Sequence, residues 1–307
     1  MLRFQNDYSE GAHPNVLRAL CDTNLSATPG YGLDDDCRRA ADTGHVNVHE
    51  TGAIEATGHK VIAMPGADGK LTPAAIAAAA AQHCAQPGIY DEHMVLPRMA
   101  YISDTTELGT VYTKAELTAL RAACDAHGLY LYLDGARLAQ ALTAAGSDLR
   151  PEDLPQLCDA FYIGGTKNGL LFGEAMVIVN DALKPGFRRA MKRSGAMLAK
   201  GRLLGVQFAA ALEQDLWLDM GRHANTQAQR IAAAFSNLGV PMLVPSPTNQ
   251  IFPILPDDQI ARLQERVAFH TNTRVDETHQ AVRFVTSWAT TDAQVDALLA
   301  VLNEVLG

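Results

Sequence analysis

Three apolar runs of the sequence end in residues that could carry out chemistry. Residues 129–133 are followed by Asp134-Gly-Ala-Arg137, residues 160–163 by Gly164-Gly-Thr-Lys167, and residues 94–102 by the stretch SDTTELG at 103–109. Ligands of parallel α/β sheets bind beyond the carboxyl ends of the strands. If the three runs are parallel strands, these residues lie at one edge of a sheet and can act on a single ligand.

Lys167 and Asp134 are the most informative of these residues. A lysine that directly follows a buried strand can enter a cleft, where burial lowers the pKa of its amine and makes it a nucleophile. The alternative is a surface lysine in a loop, and Asp134 could likewise belong to an ordinary Asp-Gly turn. Together they match a pyridoxal phosphate site, in which a lysine binds the aldehyde as a Schiff base and an acid keeps the pyridine nitrogen protonated.

Helical and strand-like patterns alternate along the chain and would position these residues. Helices are predicted at 14–21, 33–41, 48–57, 73–86, 114–126, 137–144, 181–198, 202–217, 221–238, 256–269 and 292–305. Strands are predicted at 60–63, 94–102, 129–133, 160–163, 175–179 and 282–287. Short apolar runs that alternate with helices indicate βαβ units and a mostly parallel sheet covered on both faces.

Local signals mark the helix ends and a change of pattern near residue 240. Thr113-Lys-Ala-Glu116 is a capping box, Thr72-Pro73 is a helix start, and Gly128 is a helix stop. Four prolines punctuate residues 241–253, after which helix, strand and helix follow. We therefore predict a large domain over residues 1–240 and a smaller C-terminal α+β domain over residues 241–307.

The composition excludes several classes of protein. The chain has 307 residues, 48% of them hydrophobic and 19% charged, which excludes intrinsic disorder, and no apolar window approaches the length of a membrane span. Thirty-four acidic against 25 basic residues, with a net charge of −9, argue against a nucleic-acid partner. Five scattered cysteines without a C-x-x-C pair are typical of reduced thiols in the cytoplasm, not of disulfides or a metal site. The N-terminus shows no secretory signal pattern.

Seven stretches carry a resemblance to a known family. They are NDYSEGAHP (6–14), TPGYGLDD (28–35), DTGHVNVHETGAIEATGHK (42–60), YISDTTELGTVY (101–112), LYLDGARLAQAL (131–142), FYIGGTKNG (161–169) and AVRFVTS (281–287). The sequence resembles the low-specificity L-threonine aldolases of the β-eliminating lyase group. The resemblance implies the fold type I of pyridoxal phosphate enzymes, which is that of aspartate aminotransferase. It extends from the first residues almost to the last.

The resemblance assigns cofactor contacts to individual residues. It implies that Lys167, preceded by Thr166 in the same cofactor loop, is the Schiff-base lysine. It implies that Asp134 is the partner of the pyridine nitrogen and that Arg137 contacts the phenolic-oxygen side of the ring. His45 matches the imidazole that stacks on the ring face, where it could also remove the proton of the substrate β-hydroxyl.

The resemblance also implies substrate and phosphate contacts. Arg283 falls where the family clamps the substrate carboxylate, a task that suits a guanidinium group. Asn6 and Tyr31 are expected near that clamp. Lys200 and Arg202 match basic groups that reach the cofactor phosphate of a neighbouring subunit, and the alternative for both is a solvated helix face.

The activity implied is the pyridoxal phosphate-dependent retro-aldol cleavage of L-threonine, L-allo-threonine and related β-hydroxy-α-amino acids to glycine and an aldehyde. A homodimer or homotetramer with shared active sites is implied as well. Two alternatives remain open at this point. The first is β-elimination or amino-group transfer on the same fold, and the second is a non-catalytic oligomeric homologue without a phosphate cradle.

The sequence departs from the family pattern at two places. Between its first helix and its histidine block, the family has a strand, a Gly-rich turn that cradles the cofactor phosphate, and a helix. Here residues 37–45 run directly from one block to the other, so a unit of roughly 30–50 residues is absent between Ala40 and His45. Either residues are missing from this sequence or the chain carries a true deletion. In addition, Thr105-Thr106-Glu107 stands where many relatives have a histidine.

Overall fold

The computed structural model describes residues 1–23, 54, 57–64, 66–86, 89–90 and 93–307. The helices are α1 (Pro14–Asp22), α2 (Pro73–Gln82), α3 (Lys114–Ala126), α4 (Leu138–Leu142), α5 (Leu154–Leu157), α6 (Phe187–Arg193), α7 (Arg202–Leu212), α8 (Leu216–Asn237), α9 (Asp257–Gln264) and α10 (Asp292–Leu306). The strands are β1 (Leu2–Arg3), β2 (Cys84–Gln86), β3 (Ile89–Tyr90), β4 (Met99–Ser103), β5 (Tyr130–Asp134), β6 (Ala160–Gly164), β7 (Glu174–Ile178), β8 (Gln250–Ile251), β9 (Ile254–Pro256), β10 (Val267–Ala268), β11 (His270–Arg274) and β12 (His279–Val285).

The main sheet has the strand order β4-β5-β6-β7. Strands β4, β5 and β6 pair in parallel, as predicted, and Ser103 at the end of β4 pairs with Asp134 at the end of β5. Strand β7 runs antiparallel to β6. The link from Gly164 to Glu174 is shorter than the dozen or more residues that a parallel crossover requires, so the chain can only turn back.

Helix α3 shows how local sequence rules position the sheet. The predicted capping box forms, since the Thr113 hydroxyl accepts from the Glu116 amide at 3.1 Å and the Thr113 amide donates to the Glu116 carboxylate at 2.7 Å. Leu117 and Leu120 of this helix are buried in the same core as Leu131 of β5. Gly128, with φ of 66°, takes the left-handed conformation that turns the chain from α3 into β5.

A second hydrophobic core lies in the C-terminal part of the chain. Its sheet contains β11, β12, β8 and β9, and helices α9 and α10 contribute to the core. Phe4 and the α8 residues Ala228, Ile231 and Phe235 belong to this core as well. Strand β1 pairs with β10, which brings the N-terminal segment onto this C-terminal unit. The boundary at residue 240 stays a prediction.

Some predicted elements differ from those observed. Residues 60–63, predicted as a strand, form no strand in the part of the chain that the structure describes, and most of them are exposed. The strand predicted at 94–102 begins only at Met99. The helices predicted at 33–41 and, for most of its length, at 48–57 lie outside the described residues, as does the unit predicted to be absent near 40–44. Among the described helices, none is both long enough and apolar enough to cross a membrane.

Candidate active site

The ends of β4, β5 and β6 meet at one edge of the main sheet. The amide of Asp104, which follows β4, donates to the Asp134 carbonyl at 2.9 Å. The Gly164 amide at the end of β6 donates to the Gly135 carbonyl, also at 2.9 Å. The three chemistry-bearing segments singled out in the sequence are therefore neighbours, because parallel strands end at the same edge.

Asp134 is a buried carboxylate, and each of its two oxygens accepts a hydrogen bond. One oxygen accepts from the Ala136 amide at 3.0 Å, and the other accepts from the Tyr101 hydroxyl. Burial and the neighbouring Asp134 charge both raise the pKa of Tyr101, so this hydroxyl stays protonated and keeps donating. The Tyr101 ring stacks on that of Tyr132 at 5.5 Å between centroids. Each carboxylate oxygen carries two lone pairs, so Asp134 can still accept a further hydrogen bond.

Lys167 lies in the loop between β6 and β7, which is tied down at several points. The side-chain amide of the buried Asn168 donates to the Gly164 carbonyl at 2.9 Å, and the backbone amide of Gly173 donates to the Thr166 hydroxyl at 3.2 Å. The Gly165 amide donates to the Glu174 carboxylate at 2.7 Å. These bonds hold the loop, so the amine of Lys167 extends from a fixed backbone.

The electrostatic surroundings of Lys167 lower the pKa of its amine. Burial, followed by the Arg137 charge, lowers the pKa of Lys167, and the carboxylates Asp7, Glu107 and Asp134 partly oppose the shift. A lowered pKa increases the fraction of the amine that carries a free electron pair at neutral pH. The charges of Arg137 and Asp134 thus both act on the Lys167 amine.

Gly169 explains why the loop closes with a glycine. Its φ is +81°, and a Cβ at this position would lie 2.2 Å from the Met220 sulfur of α8. Its carbonyl accepts from the His13 amide at 2.7 Å. A side chain here would be strained by the backbone and would clash with α8, so the loop needs a residue without one.

Arg137 is buried and paired with a residue that the sequence did not reveal as functional. Its Nε and Nη2 atoms donate to the two oxygens of Asp7 at 2.6 and 3.1 Å. Asn249 also donates to Asp7, at 2.9 Å. Burial raises the pKa of Asp7, but the charge and the hydrogen bonds of the neighbouring Arg137 guanidinium lower this pKa by more. The net result is a lowered pKa. Asp7 and Arg137 are 130 positions apart, so no local pattern could have linked them.

Arg283 lies on β12 and faces the same group of charges. Its Nη1 is 3.5 Å from the Gln250 side-chain oxygen, and its buried Nε has no hydrogen-bond partner in the described part of the chain. Burial and the Arg137 charge lower the pKa of Arg283, whereas Asp7 and Glu107 raise it. A half-buried guanidinium with a free donor is suited to bind a carboxylate.

The remaining predicted site residues are placed differently. Asn6 lies one residue before Asp7, and its side-chain oxygen accepts from the Tyr8 amide and the Ser9 hydroxyl. Arg202 is buried and donates to the Thr23 carbonyl of its own chain, so it is not part of a solvated face. Lys200 is exposed. His45 and Tyr31 lie outside the described residues.

The donor set at this edge fits pyridoxal phosphate. The site offers an amine with a lowered pKa at Lys167, a buried carboxylate with spare lone pairs at Asp134, and a guanidinium nitrogen at Arg283 that has no partner among the described residues. The cofactor requires the first two for its aldehyde and its ring nitrogen. The third can bind the carboxylate of an amino acid attached to the cofactor.

Asp104, at the same sheet edge, should make the stability of the protein depend on pH. One oxygen accepts from the Tyr112 amide at 3.3 Å, and the other is buried without a partner among the described residues. Burial raises the pKa of Asp104 to about 8. Between the unfolded pKa near 4 and this value, only the native state holds the proton, so its contribution to stability falls by about 1.4 kcal/mol per pH unit as the pH rises.

We expect Asp104→Asn to remove this slope, because the amide keeps the oxygen that accepts from Tyr112 and does not titrate. The measurement is the free energy of unfolding in urea, followed by circular dichroism from pH 5 to pH 8. The variant should gain stability relative to wild type as the pH rises. Parallel curves for the two proteins would contradict the prediction.

Comparison with known proteins shows the family. The family model described as "Beta-eliminating lyase" matches residues 33–257, which is more than half of the chain. The chain belongs to the β-eliminating lyase family. A curated relative named low specificity L-threonine aldolase, from Pseudomonas aeruginosa, is 33% identical over 96% of this chain and 81% of its own length. A second protein of that name, from a Pseudomonas species, is 32% identical over 87% of this chain and 75% of its own.

Solved structures that resemble this chain agree with its assignment to the β-eliminating lyase family. A threonine aldolase of Leishmania major has a TM-score of 0.94 at 39% identity, with 100% of both chains covered. Aspartate aminotransferase of Thermus thermophilus has a TM-score of 0.66 at 15% identity, over 100% of this chain and 92% of its own, which shows the fold alone. The predicted fold, the resemblance to threonine aldolases and the assignment as a pyridoxal phosphate-dependent lyase are confirmed.

Proposed function

We propose that this lyase catalyses the retro-aldol cleavage of L-threonine, L-allo-threonine and related β-hydroxy-α-amino acids to glycine and an aldehyde. The observation that carries the proposal is the grouping of Lys167, Asp134 and Arg283 at one site. The charge of Arg137 acts on both Lys167 and Arg283, and the charge of Asp134 acts on both Lys167 and Arg137. The names of the relatives supply the reaction type.

Each residue has a separate task in this proposal. Pyridoxal phosphate, when bound, withdraws electrons from the Cα atom of an attached amino acid. The amine of Lys167 would hold the cofactor through its aldehyde, and the Asp134 carboxylate would hold the proton of the pyridine nitrogen. Arg283 binds the substrate carboxylate and thereby fixes the orientation of Cα and Cβ. Arg137 contacts the oxygen side of the ring while Asp7 keeps its guanidinium in place.

Other assignments of the resemblance are also part of the proposal. Thr166 belongs to the cofactor loop, and Asn6 and Tyr31 lie near the carboxylate clamp. His45 stacks on the ring, and Lys200 and Arg202 contribute to phosphate binding. The large domain spans residues 1–240 and the small domain residues 241–307.

Product analysis tests the proposed reaction directly. The chain is incubated with pyridoxal phosphate and either L-threonine or L-allo-threonine, and the products are identified by nuclear magnetic resonance. We expect glycine and acetaldehyde in equal amounts from both isomers. A 2-oxo acid with ammonia would instead indicate β-elimination, and a new amino acid would indicate amino-group transfer. A cofactor spectrum that does not change on addition of the protein would indicate a non-catalytic homologue.

Assembly and location complete the proposal. We infer a homodimer or homotetramer, which the family resemblance implies. Leu171, Phe172 and Leu203 are exposed apolar residues near the lysine loop, and a second copy could cover them. The free thiols of Cys21, Cys124 and Cys158 are compatible with the reducing environment of the cytoplasm.

A further inference from the structure

Glu107 is an exposed carboxylate on a firmly held loop at the active-site edge. The loop spans residues 104–110 and follows β4. The Thr106 amide donates to the Thr110 carbonyl and the Gly109 amide to the Thr106 carbonyl, both at 2.9 Å, and the two threonine hydroxyls are 2.7 Å apart. Thr106 and Thr110 are buried. The loop therefore has a fixed base, and Glu107 projects from it.

The tip of this loop packs against the segment that leads to the Arg283 clamp. The Gly109 carbonyl accepts from the hydroxyls of Ser246 and Thr248 at 2.9 and 2.8 Å. Two residues later, the Gln250 side-chain oxygen accepts from Arg283. Glu107 is thus placed between the end of the main sheet and the residues that hold the predicted substrate carboxylate.

The charge of Glu107 acts on the three cations of the site. It raises the pKa of Lys167, of Arg137 and of Arg283, so its charge lies within electrostatic range of all three side chains. Glu107 therefore belongs to a loop that borders the active site, at a position to which the family resemblance assigned no role.

The other carboxylates of the site are already engaged. Asp7 accepts from Arg137 and Asn249, Asp134 from Tyr101 and Ala136, and Glu174 from the Gly165 amide. Glu107 makes no hydrogen bond and no ion pair with any residue in the described ranges. A carboxylate of this kind is free to accept a hydrogen from a bound molecule.

We propose that Glu107 is a catalytic residue that accepts the proton of the substrate β-hydroxyl during Cα–Cβ cleavage. In this step the O–H electron pair becomes the second bond of the aldehyde carbonyl. The Cα–Cβ electron pair stays with Cα, which later takes up a proton to give glycine. Because Glu107 is exposed, it can return its proton to solvent. This inference rests on the proposed function, since it needs a β-hydroxyl substrate.

Two reactions separate the role of Glu107 from that of the rest of the site. Cleavage of L-threonine requires removal of the hydroxyl proton, whereas exchange of the glycine α-proton for deuterium requires only binding, Lys167 and the cofactor. The test compares Glu107→Gln and Glu107→Asp with wild type as full-length enzyme loaded with pyridoxal phosphate. Glu265→Gln, an exposed substitution at the end of α9, is the matched control.

We expect Glu107→Gln to lower kcat for threonine cleavage by about 10²- to 10⁴-fold, the usual contribution of a general base. Glycine exchange, followed by proton nuclear magnetic resonance in D₂O, should stay within about threefold of wild type. Glu107→Asp should recover at least about tenfold of the lost cleavage, because it restores the carboxylate. The control variant should match wild type in both reactions.

Three results would overturn the inference. Cleavage by Glu107→Gln at the wild-type rate would show that Glu107 accepts no proton. Equal losses of cleavage and exchange would assign Glu107 to binding. A wild-type enzyme that exchanges the glycine proton but cleaves no β-hydroxy amino acid would overturn the proposed function, and this inference with it, so the two failures are distinguishable.

Discussion

Lys167→Ala should lower threonine cleavage by more than about 10³-fold, as the loss of a catalytic nucleophile generally does. Alanine has no amine that could attack the cofactor aldehyde. The visible absorbance of the lysine–cofactor linkage should disappear at the same time. The protein should still fold, because alanine leaves no charge at a buried position where burial already lowers the pKa of the lysine amine.

The measurement combines glycine formation with the absorbance spectrum of the purified protein. Lys184→Ala is the matched control, because Lys184 is an exposed lysine that pairs with Asp181 on the surface. It should behave as wild type in both assays. Turnover by Lys167→Ala within tenfold of wild type would refute the assignment of this residue and with it the proposed mechanism.

Asp7→Asn should destabilise the protein by about 3 kcal/mol, because it leaves the Arg137 guanidinium buried without a countercharge. The side chain keeps its size, so the loss reports the charge and not a cavity. Activity should fall as well, since Asp7 holds the Arg137 guanidinium, whose charge acts on both Lys167 and Arg283. The free energy of unfolding in urea at pH 7 is the quantity to measure.

A double substitution measures the interaction between Asp7 and Arg137. Asp7→Asn with Arg137→Gln should be less destabilised than the sum of the two single variants, because neither charge is left alone. Asp181→Asn, which breaks an exposed pair, should cause no measurable change. Strict additivity of the Asp7 and Arg137 effects would contradict the interpretation.

The pH dependence of this pair has a definite sign. The folded-state pKa of Asp7 is lowered, so its contribution to stability is present above the unfolded pKa near 4. The contribution is lost as the pH falls through the folded value. Asp7 thus stabilises the protein at neutral pH. The contribution of Asp104 to stability, in contrast, falls as the pH rises from 5 to 8, because the pKa of this carboxyl is raised.

Most of the main sheet could be predicted because its signals are local. The capping box at Thr113, the stop at Gly128 and the apolar runs that end at Asp134 and Gly164 each depend on residues a few positions apart. The reversal at β7 was not predicted, since an apolar run is equally compatible with either direction. It follows from the short link between Gly164 and Glu174.

Some active-site residues could likewise be found from the sequence, whereas others became evident only in the structure. Lys167 and Asp134 were found from their places after two strands, and the resemblance added Arg137 and Arg283. Asp7 was missed, because its partner Arg137 lies 130 positions away and is reached only when β1 pairs with β10. Glu107 was noted only as a departure from the family, since its relation to the three cations depends on how the loop packs against the segment near Gln250.

Short-range rules thus decide which residue types stand at the ends of which strands, and for this chain they were sufficient to select the amine and the carboxylate of the site. The protonation states and partners of these groups depend on burial and on charges from remote segments. Those interactions exist only after the N-terminal strand, the main sheet and the C-terminal unit have packed together. Folding therefore determines that the pKa of Lys167 is lowered, that the charge of Arg137 is paired with Asp7, and that Glu107 has no hydrogen-bond partner in the part of the chain that the structure describes.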